Sequence, residues 1–428
     1  MAFPALRVPL SVVLFGLLLA ALLLPAAAPA QGWRNNRRGN AGPAAAPDTP
    51  SAPATPTSTA PTRPASGRDP ATLYHEGLAA FQNGDYAKCN ADLSEFLSVF
   101  GSEPEYADLL ERILFAKACA TYNLPDYETA AADFTAYLAK FPESEFAPEC
   151  AYRIATALLQ LDRHDDAIEA FRRVCNDYPS SPYVEDSAYS IAFCELLRNR
   201  NAAAAEAFAA FMDRYPESPL WAQAGAFAAR ATFDDGRPAD AIRLLSRIED
   251  RPMSWSVVTY CNFLAFEIGD ALFDDTEYAL ALKAYRRIKT RAALLRHQRA
   301  YADSLTAELD SLRASPAYRK DPRAAFRRER RLASDLQQAR ELADRLAKLP
   351  DYDVNLYHRI GRCFFNSDHY WEARVAFARV VQLATDPAVK EAAHFDLVLA
   401  ISRLRRAEDL LIEADRYLAT YDPAGDWH

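Results

Sequence analysis

Residues 134–144 read Phe-Thr-Ala-Tyr-Leu-Ala-Lys-Phe-Pro-Glu-Ser, and the same frame returns twice further along the chain. Phe171, Val174, Tyr178, Pro179 and Ser181 stand 37 residues after Phe134, Tyr137, Phe141, Pro142 and Ser144. Phe208, Phe211, Tyr215, Pro216 and Ser218 stand 37 residues after those, and Ala130, Ala167, Ala204 and Ala241 keep the same step. Self-similarity at a fixed period of this size marks stacked repeats. Within each period two stretches carry apolar residues at i, i+3, i+4 and i+7, the spacing of one helical face. A short polar turn separates the two, Asn83-Gly84-Asp85-Tyr86 in one copy and Asp234-Asp235-Gly236-Arg237 in another. The Pro-x-Ser element closes the second helix and offers a serine to cap the next one. An all-α fold of stacked helix pairs follows.

Composition agrees. Of 428 residues half are hydrophobic and a quarter charged, with a net charge of −9, which excludes a disordered chain. Twelve of the 27 prolines and five of the 13 glycines fall in the first 70 residues. The remaining eight glycines are too few for the tight turns of an all-β fold. Residues 1–30 read as an export signal: Arg7, an apolar stretch from Val8 to Leu24, Pro25, then Ala28-Pro29-Ala30 before Gln31. The alternative is an uncleaved anchor, since that stretch sits at the lower limit for spanning a bilayer. Residues 31–69 form an Ala/Pro/Ser/Thr linker that cannot pack a core and serves as a spacer. The seven cysteines show no C-x-x-C spacing, so they read as small buried hydrophobes rather than zinc ligands or redox pairs. Their odd number leaves at least one unpaired.

The repeat is broken once. Ala281 and Ala373 are 92 residues apart, against 37 to 41 elsewhere. The extra stretch is charged and helical, with breaks at Ser315-Pro316 and Asp321-Pro322. Leu332, Leu336, Ala339, Ala343 and Leu346 step by 4, 3, 4, 3, a coiled-coil seam, and Tyr301, Leu305 and Leu312 suit its partner. Residues 291–350 are therefore expected to form an antiparallel coiled-coil hairpin. Its tip is basic: residues 313–331 hold eight Arg or Lys against two acids, among them Arg319, Lys320, Arg323, Arg327, Arg328, Arg330 and Arg331. Such a cluster suits an anionic envelope polymer or lipid, or is a solvated helix surface in a chain with 41 Arg against 8 Lys. Nucleic acid is excluded as a partner by the acidic body and the export signal.

The repeats resemble the tetratricopeptide (TPR) family. That pattern places a bulky residue, Leu-Gly and an aromatic on the first helix, then Ala, an aromatic and a closing Pro around the second. Tyr357, Ile360-Gly361, Phe364, Ala373, Phe377 and Pro387 follow it, as do Ile268-Gly269, Leu272, Ala281 and Tyr285. So do Leu73, Gly77, Phe81 and Tyr86, with Cys89 in the Ala position. The resemblance implies an α-α superhelical solenoid, with repeats 1–6 over residues 70–290. Repeat 7 and a degenerate repeat 8 (Phe395 to Tyr421) with a C-terminal cap occupy 351–428. It also implies a peptide-binding groove lined by first-helix positions. Here these include Tyr74, Phe115, Tyr152, Tyr189, Phe193 and Phe266, aromatic anchors of the kind that concentrate binding energy. The Lys/Asn clamp of cytosolic co-chaperones is replaced by Phe115 and Cys119, Tyr152 and Thr156, and Tyr189 and Phe193.

The recurring Phe/Tyr-Pro-x-Ser close is similar to that of periplasmic envelope scaffolds of the BamD (outer-membrane assembly) and YbgF (Tol-Pal) families. Two departures stand beside that likeness. The first cysteine is Cys89, far from the signal, and the coiled coil interrupts the repeats instead of preceding them. No H-E-x-x-H, P-loop, G-x-G-x-x-G or G-x-S-x-G motif is present, and the one His-carboxylate run, His164-Asp165-Asp166, falls in an inter-helix turn. The expectation is a non-enzymatic, exported scaffold without metal or cofactor. It binds envelope proteins or peptides in the periplasm; the alternative is a membrane-anchored adaptor of protein or polysaccharide secretion.

Overall fold

The computed structural model describes residues 67–421, apart from Asp250, Pro252, residues 316–321 and Pro350. The expected signal, the linker up to residue 66, tip residues Arg319 and Lys320 and the last seven residues lie outside the described residues. Eighteen α-helices and no strand occur among the residues described. Contacts divide the chain into two units, one up to Phe227 and one from Ala228.

The first unit contains α1 (Pro70–Asn83), α2 (Tyr86–Phe100), α3 (Ala107–Asn123), α4 (Tyr127–Lys140), α5 (Ala147–Gln160), α6 (His164–Asp177), α7 (Tyr183–Leu197), α8 (Asn201–Arg214) and the start of α9 (Trp221–Asp234). From α1 to α8 each helix packs on its sequence neighbours, and the first helices of successive pairs also touch. The second unit holds the rest of α9, then α10 (Pro238–Glu249), α11 (Trp255–Asp274), α12 (Tyr278–Tyr285), α13 (Arg291–Ala314), α14 (Pro322–Lys348), α15 (Asp353–Asn366), α16 (Tyr370–Leu383), α17 (Pro387–Arg403) and α18 (Ala407–Thr420).

Three ladders explain why the pairs form. Cys89, Ala130, Ala167, Ala204, Ala241, Ala281 and Ala373 are fully buried on the second helices. Their small side chains let the two helices of a pair approach, and Leu93, Phe134, Phe171, Phe208, Leu245, Tyr285 and Phe377 fill the space one turn later. On the first helices Gly77, Ala118, Ala155, Ala192, Ala229, Gly269 and Gly361 keep the same step, all buried. The contact is closest at the glycines: a Cβ on Gly361 would lie 2.6 Å from Phe377 Cε1. The turns keep the same register, with a left-handed residue at Gly84, Asp162, Asn199, Gly236, Thr276, Asp368 and Arg405. The serines cap as their position suggests. Ser144, Ser181 and Ser218 accept from the amides of Phe146, Tyr183 and Leu220 at 3.1, 3.2 and 3.1 Å.

In the second unit α12 packs on α15 although the hairpin separates them in sequence. The hairpin helices α13 and α14 run antiparallel, with Gln298 donating to the Ala339 carbonyl at 3.2 Å and Arg313 paired with Glu329 at 2.8 Å. Ala302, Leu305 and Leu309 pack on Leu332, Leu336 and Ala339. Tyr301, expected on this seam, is instead exposed. Residues 302, 305, 309 and 312 continue the 3-4-3 step, so the seam lies one residue beyond Tyr301. The hairpin base is pinned by the buried Asp353, whose carboxylate accepts from the amides of Arg291 (2.6 Å) and Ala292 (3.1 Å). The Arg291 guanidinium donates to the carbonyls of Leu346 and Ala347 at 3.2 and 2.6 Å. The last pair also begins earlier than Phe395: Pro387 opens α17, with Asp386 capping the Ala388 amide at 2.9 Å. Proline fits a first helical turn because its missing N–H would be unbonded there anyway.

Candidate functional site

In the first unit Tyr74, Phe115, Tyr152 and Tyr189 occupy one register on α1, α3, α5 and α7, with Phe193 one turn further on α7, but these expected groove aromatics are not free-standing anchors. Tyr152 is half-buried, stacked on Tyr183 with ring centroids 5.0 Å apart and set against Phe171 at 5.9 Å. Burial pushes its phenol upward, with Asp186 adding to the rise. Tyr189 meets the edges of Phe208 and Phe211 at 5.7 and 5.6 Å and lies parallel to Phe193 at 6.5 Å. Phe193 in turn packs on Phe227 at 5.7 Å. Tyr74 is half-buried against the first core cluster. Phe115 is only 6% exposed and stacks on Phe146 at 4.4 Å, so it belongs to the interior. The general cause is plain: an aromatic at this position spans the gap between neighbouring helices and gains more from packing than from exposure.

Charged groups complete the face. Arg153 pairs with Glu149 at 2.7 Å and lies over the Tyr122 ring at 5.4 Å, while the Tyr122 hydroxyl donates to Thr156 Oγ1 at 3.2 Å. Beside them Asp186 is accessible to solvent yet hemmed in by protein. Burial, then the neighbouring Glu185, pushes its carboxyl above the usual carboxylate range. A carboxylate that is both accessible and incompletely hydrated is a ready acceptor for a partner's cation or amide.

The second unit repeats the arrangement. Phe266 is half-buried, edge-on to Tyr285 and Tyr352 at 6.3 and 6.1 Å, with Arg359 over its face at 5.6 Å. Arg359 donates twice to Asp270, at 2.6 and 2.9 Å, and the Tyr285 hydroxyl donates to the same carboxylate at 2.6 Å. Arg362 lies over Phe273 at 5.0 Å. The motif-based reading of positions missed these arginines. Their signal was present: Tyr152-Arg153 and His358-Arg359 place an arginine directly after the same first-helix position. In both pairs the guanidinium covers a ring of the preceding first helix, a favourable cation–π contact.

At the hairpin, Arg327, Arg328, Arg330 and Arg331 are exposed near the start of α14, while the Arg323 side chain lies outside the described residues. Arg328 pairs with Glu308 at 2.8 Å. Arg327, Arg330 and Arg331 make no ion pair among the described residues. The remaining polar run is accounted for structurally. Asp165 pairs with Arg198 and, at 3.0 Å, with Arg200; Asp166 pairs with Arg163 at 2.7 Å. A cavity lined by Leu245, Val258, Cys261 and Asn262 has a volume of about 10 Å³, room for one water at most. All seven cysteines are free, and burial pushes the thiols of Cys89, Cys119, Cys194, Cys261 and Cys363 up to about 12, as expected of packing residues.

Stacked helix pairs with small-residue contacts in fixed register, carrying an aromatic and charged first-helix face, are the arrangement of the tetratricopeptide-repeat fold class. Within that class the chain resembles BamD-type proteins: the family described as outer membrane lipoprotein (YfiO) matches residues 67–188, and a tetratricopeptide repeat family matches residues 186–218. Among solved structures it is similar to a TPR protein from Parabacteroides merdae, at 11% identity over 78% of this chain and 98% of the other, with a TM-score of 0.38. The C-terminal part of a TPR repeat-containing protein from Cytophaga hutchinsonii matches at 12% identity over 74% and 97%, TM-score 0.44. MamA from Desulfovibrio magneticus matches at 18% over 43% and 95%, TM-score 0.34. No curated protein matches the chain.

Proposed function

We propose that this chain is a periplasmic scaffold that holds partner proteins of the outer-membrane or cell-wall machinery on its first-helix face. The observation that carries the reading is a coincidence of two regions. The outer membrane lipoprotein match over residues 67–188 spans the segment where Tyr122, Glu149, Tyr152, Arg153 and Asp186 come together. Tyr152, Tyr189 and Phe193, with Tyr74 at the start of the unit, supply ring edges. Asp186 supplies an accessible carboxylate beside the Arg153–Glu149 pair, so the fitting ligand is an amphipathic or basic segment rather than a wholly apolar one. Phe266 with Arg359 and Asp270 offers a similar patch in the second unit. The chemistry is recognition, with no catalytic step, and the hairpin tip adds contact with an anionic envelope component.

A photo-crosslinking amino acid placed at Phe193, and separately at the exposed Glu169 on α6, tests this in cells. Defined protein adducts from position 193 and none from 169 support the face. Equal or absent adducts at both overturn it.

A further inference from the structure

We infer that the outer side of α18 is a docking seam for an amphipathic helix with a basic flank, supplied by a partner protein and separate from the first-helix face. α18 is anchored from within: Tyr417 is buried against the His394 ring at 5.4 Å, and His394 Nε2 meets Glu413 at 2.9 Å. On the outer side Ala407, Leu411, Ala414 and Leu418 step by 4, 3, 4, the spacing that pairs the hairpin helices. Here the stripe is uncovered among the described residues. Leu411 is 65% exposed and Leu418 56%, where Leu332 and Leu336 on the hairpin seam are buried.

The repeat register shows what belongs there. The left-handed turn residues Asp368 and Arg405 stand 37 residues apart, which sets Leu411 and Leu418 level with Arg374 and Val381 of α16. Both of those positions face the next pair: Arg374 pairs with Asp409 of α18 at 3.3 Å, and Val381 joins Val389 and Ala393 of α17 in one cluster. Leu411 and Leu418 are therefore stacking positions, made to receive a further helix. A stacked array that ends in water closes with a polar outer face, so two leucines there mark a face that a helix covers.

Charge selects the occupant. At about 100° per residue the stripe spans about 60° of α18, and on its open edge Asp415 and Glu408 lie about 40° and 60° beyond Leu411. Both are exposed, and neither makes an ion pair among the described residues. Charges that flank a helical seam decide which helix pairs with it, so the incoming flank must be cationic. A second copy of α18 brings the same two acids to the seam and is repelled. Residues 422–428 hold Asp422 and Asp426 without a Lys or Arg, so they match it no better. An anionic bilayer is disfavoured by the same sign.

The test follows the fluorescence anisotropy of a labelled synthetic helix, with Leu and Ala on a 4-3 step flanked by Lys, as the full chain is added. The same helix flanked by Glu is the second probe. The expected result is a preference of about tenfold for the Lys probe, since two flanking pairs attract in one case and repel in the other. Glu408→Lys/Asp415→Lys should reverse that preference, and Leu411→Ala/Leu418→Ala should weaken the Lys probe about thirtyfold. All four side chains are exposed, and unchanged helicity in each variant verifies the fold. A Lys probe that fails to bind, binds the leucine variant equally well, or stays preferred after charge reversal overturns the proposal. So does a dimer of the full chain in sedimentation that Leu418→Ala dissociates, which gives the stripe to a second copy. So, too, does a Trp427→Ala variant that binds the Lys probe tenfold more tightly, which gives it to the chain's own tail. None of these substitutions touches the first-helix face, so the crosslinks at Phe193 stand or fall separately.

Discussion

The repeat pairs and the inserted hairpin are both made of two antiparallel helices, yet they bury their seams differently. In the pairs, Phe134, Phe171 and Phe208 are wholly sealed, because each ring faces a small residue on its partner helix and the next pair closes over it. In the hairpin Leu305, Leu309, Leu332 and Leu336 keep 6–8% exposure, since two helices alone leave the sides of a seam open. The pairs also use strain and close approach, with left-handed turns and glycines against rings, where the hairpin uses a ladder of leucines and alanines. Repeats draw stability from neighbours, and the hairpin draws it from its own two strands of helix and a pinned base.

The largest effect that can break this comparison is a truncation in each region. Phe208→Ala removes a ring sealed among Tyr189 and Phe227 and should cost about 3–5 kcal/mol, measured by urea unfolding of the helical signal. Leu336→Ala on the open seam should cost about 2 kcal/mol, the low end for a leucine, because the side chain already touches solvent. Equal costs would mean that the hairpin is as enclosed as the repeats.

Next in size is close approach. Gly361→Ala brings a Cβ within 2.6 Å of Phe377 Cε1, a ring that is itself sealed, so the two helices must part. Overpacking of this kind costs about 1–3 kcal/mol, and the loss should appear as a lower thermal midpoint with hairpin exchange rates unchanged.

A smaller change sharpens the hairpin side. Asp353→Ala removes the carboxylate that accepts from the amides of Arg291 and Ala292 at the start of α13. Losing a helix cap costs about 1–2 kcal/mol, more than a surface cap would because the site is buried. Hydrogen exchange should rise in the first turns of α13 and leave α1 to α8 as they were. Faster exchange throughout would show that the hairpin base supports the whole chain.

Much of this architecture was legible in sequence, and the exceptions have physical reasons. The Phe/Tyr-Pro-x-Ser frame marked the pairs because sealed aromatics and small residues must recur at fixed spacing to stack. Leu332, Leu336 and Ala339 were legible from their 4-3 step. Tyr301 was misplaced on the seam because its large ring was read as the knob of the step, though the small Ala302 is the residue that fits between helices. At the candidate face, position alone marked Tyr152, Tyr189 and Phe193 but could not weigh packing against exposure, so Phe115 was counted as an anchor although Phe146 covers it. The arginines over Tyr122 and Phe266 escaped notice because a lone arginine on a helix reads as solvated until the ring beneath it is known.

The smallest effect concerns the turns, and it is a gain. Thr276 adopts φ 65, a conformation that crowds a β-branched side chain and that Gly84 and Gly236 adopt in the equivalent turns. Left-handed backbone costs an L-residue about 1–2 kcal/mol, and glycine returns part of that through its looser unfolded chain, about 0.4–1 kcal/mol. Thr276→Gly should therefore stabilise the fold by roughly 0.5–1 kcal/mol, read as a higher urea midpoint. Asp162→Gly and Asn199→Gly should gain less, because short polar side chains tolerate this region. The gain should leave exchange within α13 and α14 unaltered, since the hairpin uses no such turn among its described residues. A loss of stability in Thr276→Gly would mean that the threonine makes the turn for a reason other than register, and the turn ladder would cease to be a repeat feature at that position.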